Sequence, residues 1–207
     1  MKTLTKKMQN AITPEIALNL LKDGNKRFVS NLKINRNLLQ QVNETSDGQH
    51  PFAVILSCID SRTSAELIFD QGLGDVFSIR IAGNIINKDI LGSIEFGCKI
   101  AGAKMIVVLG HTQCGAIKGA CDNVEMENLT SLLNKIQPAI MAEKTIINNR
   151  DSSNADFVNN VGIQNVKMVV DEISIRSATL KEMIASGRCG IIGANHDIST
   201  GEVTFFN

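Results

Sequence analysis

Two short segments of this chain carry the residue types with the greatest potential for chemistry, and each follows a run of strand-forming residues. The first, 58–62, reads Cys-Ile-Asp-Ser-Arg, and the second, 111–115, reads His-Thr-Gln-Cys-Gly. Together they offer two thiols and one imidazole, from Cys58, His111 and Cys114. These are three of the four ligands of a tetrahedral zinc shell. Three protein ligands and one exchangeable position are typical of catalytic zinc, so the segments predict a catalytic metal site.

Asp60 and Arg62 form a second pair of interest, two and four residues after Cys58. A guanidinium can hold a carboxylate with two parallel hydrogen bonds. Asp60 could orient a zinc-bound hydroxide by accepting its hydrogen bond, or it could turn onto the metal and fill the fourth position. Arg62 would decide between the two by holding the carboxylate away. The alternative is an ordinary surface ion pair.

The elements that must position these side chains are predicted from the hydrophobic pattern. Apolar runs at 52–58 and 105–110 are nearly continuous, which is typical of strands covered on both faces of a parallel sheet. Further strands are expected at 76–81, 190–194 and 203–206, and residues 31–50 form a polar connector. Helices are predicted after Thr13-Pro14 and at 63–70, 88–102, 114–121, 127–148 and 159–186, with a polar break near Asn154.

Strands alternating with helices predict an α/β fold with a mostly parallel central sheet, flanked by helices. The last strand follows a short turn, so it is expected to be an antiparallel edge strand. We expect a single domain over residues 1–207, in which residues 1–37 form an N-terminal helical arm.

The carboxyl ends of parallel strands share one edge of a sheet, where ligands gather. Cys58 and His111 both lie at that end of their strands, so a separation of 53 residues (111 minus 58) can become a short distance. A helix beginning near His111 would place Cys114 on the same face. The alternative is a buried core thiol at Cys58, with His111 capping a helix beside an unrelated Cys114.

The overall composition narrows the function classes. The 21 basic and 21 acidic residues cancel, which argues against nucleic acid or an anionic membrane as the main partner. No apolar run approaches the roughly 18 residues of a membrane span, and no apolar stretch follows the N-terminal lysines as in a secretory signal. Five cysteines, an odd number, argue against a disulfide scaffold and for a cytoplasmic location.

The remaining thiols and imidazoles are interpreted without a catalytic role. Cys98, Cys121 and Cys189 lie in helix or strand patterns and are interpreted as core thiols. His50 and His196 have no partner pattern and are expected to be structural or surface residues.

Segments 58–62 and 111–115 together resemble the β-class carbonic anhydrases. The similarity continues through Arg80–Asn84, Gly92–Phe96, the Thr13-Pro14 helix with Asn25–Phe28, Gly190–Ala194 and the turn Thr200–Val203, and thus spans nearly the whole chain. One departure concerns a Gln that plant-type members carry just before a Pro-Gly-acidic turn. Here the turn reads Gly72–Asp75, with Gln71 one position away, so a donor role for Gln71 is not implied.

This resemblance implies one Zn²⁺ per chain, held by Cys58, His111 and Cys114, with Asp60 and Arg62 as the catalytic dyad. It implies reversible hydration of carbon dioxide to bicarbonate and a proton, by attack of zinc-bound hydroxide. The predicted pocket lining is Ser61, Ala82, Gly83, Asn84 and Gly115. It also implies a homodimer or dimer of dimers, in which the N-terminal helix packs on the neighbouring subunit.

Three other functions remain open at this point. Relatives on the same fold hydrolyse carbon disulfide or carbonyl sulfide, and the metal-site residues do not separate these substrates. A zinc or bicarbonate sensor without turnover would have no need of Asp60 and Arg62. A thiol redox protein using Cys58 and Cys114 would lack the Cys-x-x-Cys spacing and leave His111 unexplained.

Overall fold

A five-stranded sheet organises the computed structural model, which describes residues 3–206. Its strands are β1 (Ala53–Ser57), β2 (Val76–Arg80), β3 (Met105–His111), β4 (Gly190–His196) and β5 (Val203–Phe205), in the spatial order β2-β1-β3-β4-β5. The first four strands run parallel, and β5 pairs antiparallel with β4. The predicted α/β fold with its antiparallel edge strand is therefore confirmed.

Helices cover both faces of this sheet. They are α1 (Lys6–Ala11), α2 (Pro14–Val29), α3 (Leu38–Glu44), α4 (Ala65–Ile68), α5 (Lys88–Glu95), α6 (Gly115–Cys121), α7 (Glu127–Leu133), α8 (Gln137–Ala142), α9 (Ala155–Arg176) and α10 (Ala178–Ala185). Alternate residues of the central strands enter two separate cores. Val54 and Ile106 pack with α5, α9 and α10, whereas Ile55 and Val107 pack with α2 and α4. Every residue of β1 and β3 is buried, as the continuous apolar runs predict.

Helix α2, the second of the chain, begins where the sequence predicts. The Thr13 side chain accepts a hydrogen bond from the Ile16 amide, and Pro14 occupies the first turn, where its missing N–H leaves no bond unmade. Ala17 and Leu21 are fully buried against the sheet, while Ile16 and Leu20 remain exposed on the other side. The helix thus packs on its own chain and leaves an apolar face free in the monomer.

Four predicted segments differ in detail. Residues 31–50, expected to be irregular, contain α3, which Asn37 caps by accepting from the Gln40 amide. Residues 127–148 form two short helices and a loop rather than one helix. The helix predicted at 159–186 begins at Ala155 and breaks at Ser177, which is extended and caps α10. The segment 88–102 widens from α5 into a π-helical turn over Phe96–Ile100.

In the part of the chain from Thr3 to Phe206, no helix combines the length and the apolar character needed to cross a bilayer.

Candidate metal centre

The three predicted ligand residues meet at the carboxyl edge of the sheet. Cys58 follows the last residue of β1, and His111 ends the neighbouring strand β3. Cys114 is the N-cap of α6, which begins at Gly115. The helix predicted at 114–121 is therefore confirmed, but it begins too late to include His111 and does not by itself place His111 and Cys114 on one face. Instead, Gln113 takes a left-handed conformation (φ 57°), and this tight turn carries Cys114 back beside His111.

Their ligand atoms form a compact, buried group. All three lie within 4.8 Å of one another, and the two sulfurs are 3.9 Å apart. Each of the three residues is no more than 4% exposed. His111 Nδ1 lies 2.9 Å from the Thr112 carbonyl, which leaves Nε2 with its lone pair free. Among the described residues Nε2 has no hydrogen-bond partner, and an orphaned buried nitrogen beside two thiols fits a zinc ion.

The two sulfurs perturb each other's ionisation. Hydrogen bonding with Cys114 lowers the pKa of the Cys58 thiol, and the same contact raises the pKa of Cys114. The Gly83 amide also donates to Cys58 Sγ at 3.4 Å. A thiolate, not a thiol, is the metal ligand, so the lowered pKa favours coordination by Cys58, whereas the raised pKa of Cys114 opposes its deprotonation in the absence of a metal.

Asp60 and Arg62 form a hydrogen-bonded ion pair beside this group. The Arg62 backbone amide and Nε both donate to Asp60 Oδ1 at 2.9 Å, and Nη2 donates to Oδ2 at 2.8 Å. These bonds from Arg62 hold the pKa of the Asp60 carboxyl well below its ordinary value. Asp60 Oδ2 lies 3.9 Å from His111 Nε2, so the carboxylate borders the ligand group while Arg62 restrains it.

Two residues to which the sequence assigned no role fix the backbone of this segment. Arg80, at the end of β2, donates from Nε to the Cys58 carbonyl at 3.1 Å and from Nη2 to the Asp60 carbonyl at 2.6 Å. The buried Thr63 hydroxyl donates to the Asp60 carbonyl at 3.0 Å. Because both residues act on backbone oxygens, residue type and spacing alone do not reveal them.

The predicted pocket residues have different placements. Ala82–Asn84 forms a 3-10 turn after β2, and Gly83 reaches Cys58 through its amide. Asn84 is 2% exposed, and its Nδ2 has no hydrogen-bond partner among residues 3–206. Ser61 and Gly115 are exposed neighbours of the ligand segments. The structure thus brings Gly83 into direct contact with the ligand group, whereas Ser61 and Gly115 border it along the chain.

The other cysteines and His196 are not among the candidate ligands. His196 is 3% exposed and faces His111 in the ladder between β3 and β4, and burial lowers its pKa to about 4. All five cysteines are free and buried, and Cys98 and Cys189 lie with their sulfurs 3.8 Å apart in the core. Gln71 donates to the Phe69 carbonyl of its own turn.

The chain matches a known protein family. Residues 53–203 match the family model described as carbonic anhydrase. The chain is 34% identical over 196 residues to a carbonic anhydrase of Mycolicibacterium smegmatis, covering 92% of each chain. It is 35% identical over 191 residues to carbonic anhydrase 2 of Mycobacterium tuberculosis, covering 91% of this chain and 90% of the other.

A solved structure extends the agreement to the fold. A tetrameric β-carbonic anhydrase of Sordaria macrospora superimposes with a TM-score of 0.68 at 24% identity, over 78% of this chain and 83% of that chain. With the family match and the relatives above, this shared fold means that the chain belongs to the β-class carbonic anhydrases, a family of lyases.

Proposed function

We propose that this protein catalyses the reversible hydration of carbon dioxide to bicarbonate and a proton, with a zinc ion held by Cys58, His111 and Cys114. The observation that carries the proposal is the buried ligand group with the Asp60–Arg62 pair beside it. Membership of the carbonic anhydrase family supports the reaction.

Each residue of the centre has a defined task in this reaction. A zinc ion held by Cys58, His111 and Cys114 would supply hydroxide by acidifying a water molecule. Asp60, kept ionised by Arg62, can only accept hydrogen bonds and therefore orients the attacking oxygen through its proton. Arg62 prevents the carboxylate from turning toward His111 Nε2, 3.9 Å away. The Gly83 amide stabilises negative charge on the Cys58 sulfur.

The test compares metal-free and zinc-reconstituted protein in carbon dioxide hydration. We expect turnover only in the reconstituted protein, at about one zinc per chain. Zinc binding without hydration would contradict the proposed reaction. Carbon disulfide and carbonyl sulfide assays on the same samples would then separate a hydrolase from a sensor.

We further propose that the protein assembles as a homodimer or dimer of dimers. Apolar side chains on the outer side of the N-terminal helices support this, because Met8, Ile16 and Leu20 are each 39–45% exposed in the monomer. Sedimentation equilibrium of wild-type and Leu20→Glu protein tests it. A monomeric wild type would contradict the proposal.

We also propose that residues 1–207 form a single domain and that the protein works in the cytoplasm. Support for one domain is that α2, from the N-terminal region, and β5, from the C-terminal region, pack into the same core. Five free, buried thiols suit a reducing compartment. Limited proteolysis that released a stable half would contradict the single domain, and recovery outside the cytoplasm on cell fractionation would contradict the location.

A further inference from the structure

A buried asparagine of the long helix α9 is connected to the ligand group through one glycine. Asn165 is 3% exposed, and its Nδ2 donates to the Gly83 carbonyl at 2.9 Å. The amide of the same glycine donates to Cys58 Sγ at 3.4 Å. Two hydrogen bonds thus run in series from the helix to a ligand sulfur.

Gly83 lacks a side chain that would restrict its backbone, so its conformation depends on its hydrogen bonds. It takes a left-handed conformation (φ 66°, ψ 16°). Its N–H and its C=O belong to the two peptide planes on either side of its Cα. The N–H reaches Cys58 and the C=O reaches Asn165, so the two contacts together fix both torsions of Gly83. The peptide plane that carries the Gly83 carbonyl also donates from the Asn84 N–H to the Ile81 carbonyl at 2.9 Å. Loss of the Asn165 donor would remove one of the two hydrogen bonds that hold this plane and so loosen the orientation of Gly83, whose amide bonds the sulfur.

An asparagine is unusual at this position of α9. The helix otherwise buries apolar side chains here, including Val161, Val166 and Val169. Asn is a weaker helix former than most apolar residues, and a buried amide costs free energy unless it is hydrogen-bonded. The hydrogen bond to Gly83 is the contact that compensates these costs.

We infer that Asn165 is a positioning residue for the metal centre. Through the Gly83 peptide it holds an N–H against the Cys58 thiolate and so sets the charge that this sulfur presents to the metal. Outer partners of metal ligands act in this way, and their loss typically weakens metal binding. The inference rests on the proposed metal centre, but it does not depend on which substrate is turned over.

The test replaces Asn165 and measures the metal itself. In Asn165→Leu, which removes the donor at similar size, we expect zinc affinity to fall roughly 10- to 100-fold in chelator competition. Cobalt substitution gives a second readout, since the sulfur-to-metal absorption band shifts when the hydrogen bond to the sulfur is lost. Asn165→Ala removes the same donor with less bulk and serves if the leucine variant does not fold.

Two matched variants separate positioning from general stability. Asn25 is also buried, at 6% exposure, and its amide bonds the carbonyls of Ile68 and Gly201 away from the ligand group. Asn25→Leu should lower the melting temperature without changing zinc affinity or the cobalt band. Asn165→Gln keeps a donor, and the cavity of about 380 Å³ beside Asn165 gives it room, so affinity should recover toward wild type.

The experiment separates failure of the Asn165 positioning role from failure of the proposed hydration reaction. If Asn165→Leu and Asn165→Ala lose stability as Asn25→Leu does but keep zinc affinity within twofold and an unchanged cobalt band, the positioning role is wrong. If wild-type protein binds no metal, both the proposed function and this inference fail. If wild type binds zinc but does not hydrate carbon dioxide, only the reaction fails, and the affinity series still decides the role of Asn165.

Discussion

At the residue scale, Arg62 controls the position of the Asp60 carboxylate. The guanidinium occupies both carboxylate oxygens, at 2.9 Å and 2.8 Å. Without it, Asp60 would be free to turn toward His111 Nε2 and compete for the position that substrate chemistry needs. In the proposed function, the pair therefore acts as a restraint on a carboxylate that would otherwise be free to become a fourth ligand.

Arg62→Met should lower kcat/KM for carbon dioxide hydration by roughly a hundredfold or more while zinc content stays the same. The cause is release of Asp60 from its two side-chain hydrogen bonds. Stopped-flow rates with zinc analysis of each sample measure both quantities. Arg188→Met is the control, because Arg188 pairs with Glu182 on the exposed surface. An unchanged rate in Arg62→Met would contradict the role.

The expected pH profile of carbon dioxide hydration does not reflect titration of Asp60 or His196. Hydrogen bonds from Arg62 keep the pKa of Asp60 below its ordinary value, so this carboxyl is ionised above about pH 5. His196, with a pKa of about 4, is neutral over the same range. Two thiolates make zinc a weaker acid than three histidines do, so we expect turnover to climb through mildly alkaline pH. A flat rate between about pH 6 and 9 in stopped-flow assays would rule this out.

At the scale of secondary-structure elements, the turn after β2 lies against the candidate metal centre, because the Gly83 amide donates to Cys58 Sγ. Gly83 has φ 66°, and an added Cβ would lie 2.9 Å from Ile136 Cδ1 and 3.3 Å from Ala116 Cβ. Gly83→Ala should therefore destabilise the protein by about 1–3 kcal/mol and weaken zinc binding. Urea unfolding and chelator competition measure the two effects.

The control for this substitution is Gly162→Ala. Gly162 lies in α9, and an added Cβ there meets nothing within 4 Å. This variant should gain stability by about 0.4–1 kcal/mol, because alanine restricts the unfolded chain. Equal stability changes in the two variants would show that the turn is not under conformational constraint.

The segment between α2 and α3 is tied to the fold by one buried carboxylate. Asp70 accepts from Arg27 at 2.6 Å and also pairs with Arg36, and the Asp70 and Arg36 side chains are 2% and 8% exposed. Burial alone would raise the pKa of Asp70, but hydrogen bonds from the two arginines hold it below its ordinary value. This stabilisation is complete above the unfolded pKa of about 3.9 and is lost as pH falls through the lower folded value.

Asp70→Asn should lower the free energy of unfolding by about 3 kcal/mol at neutral pH, because it leaves a buried guanidinium without its counter-charge. Chemical denaturation at pH 7 and pH 3 measures the effect, and the difference from wild type should shrink at the lower pH. Asp23→Asn is the control, since Asp23 pairs with Lys26 on the surface. A pH-independent difference would contradict the electrostatic explanation.

The sequence predicts two kinds of element: those stabilised by contacts between neighbouring residues, and strands that are buried on both faces. β1 and β3 stand out as continuous apolar runs, and Thr13-Pro14 marks a helix start by its own hydrogen bonding. The loop after α8 was not predictable in this way. Its turn forms around buried Glu143, which accepts from the Thr145 amide and from Arg150, seven residues further on.

The same distinction holds at the metal centre. Cys58, His111 and Cys114 are recognisable because their types and their position after strands already indicate metal binding. Arg80, Thr63 and Asn165 act on carbonyl oxygens, and only the fold shows which carbonyls lie within their reach.

At the scale of the whole molecule, the sheet converts distant sequence positions into one centre. In-register pairing of β1 with β3, Ser57 opposite Leu109, fixes the separation of Cys58 and His111. Both cores on the two faces of the sheet hold these strands, so the centre is supported by the rigid part of the fold. We therefore expect metal binding and turnover to depend on the same three side chains.

The most direct measurement of that claim is stopped-flow hydration of carbon dioxide, with zinc counted per chain, on wild type, Cys58→Ser and Cys121→Ala. Cys121 is a buried core thiol outside the ligand group. We predict rapid turnover with about one zinc per chain in wild type and in Cys121→Ala, and loss of both in Cys58→Ser. Turnover that survives Cys58→Ser, or zinc-loaded wild type that does not hydrate carbon dioxide, would contradict the account.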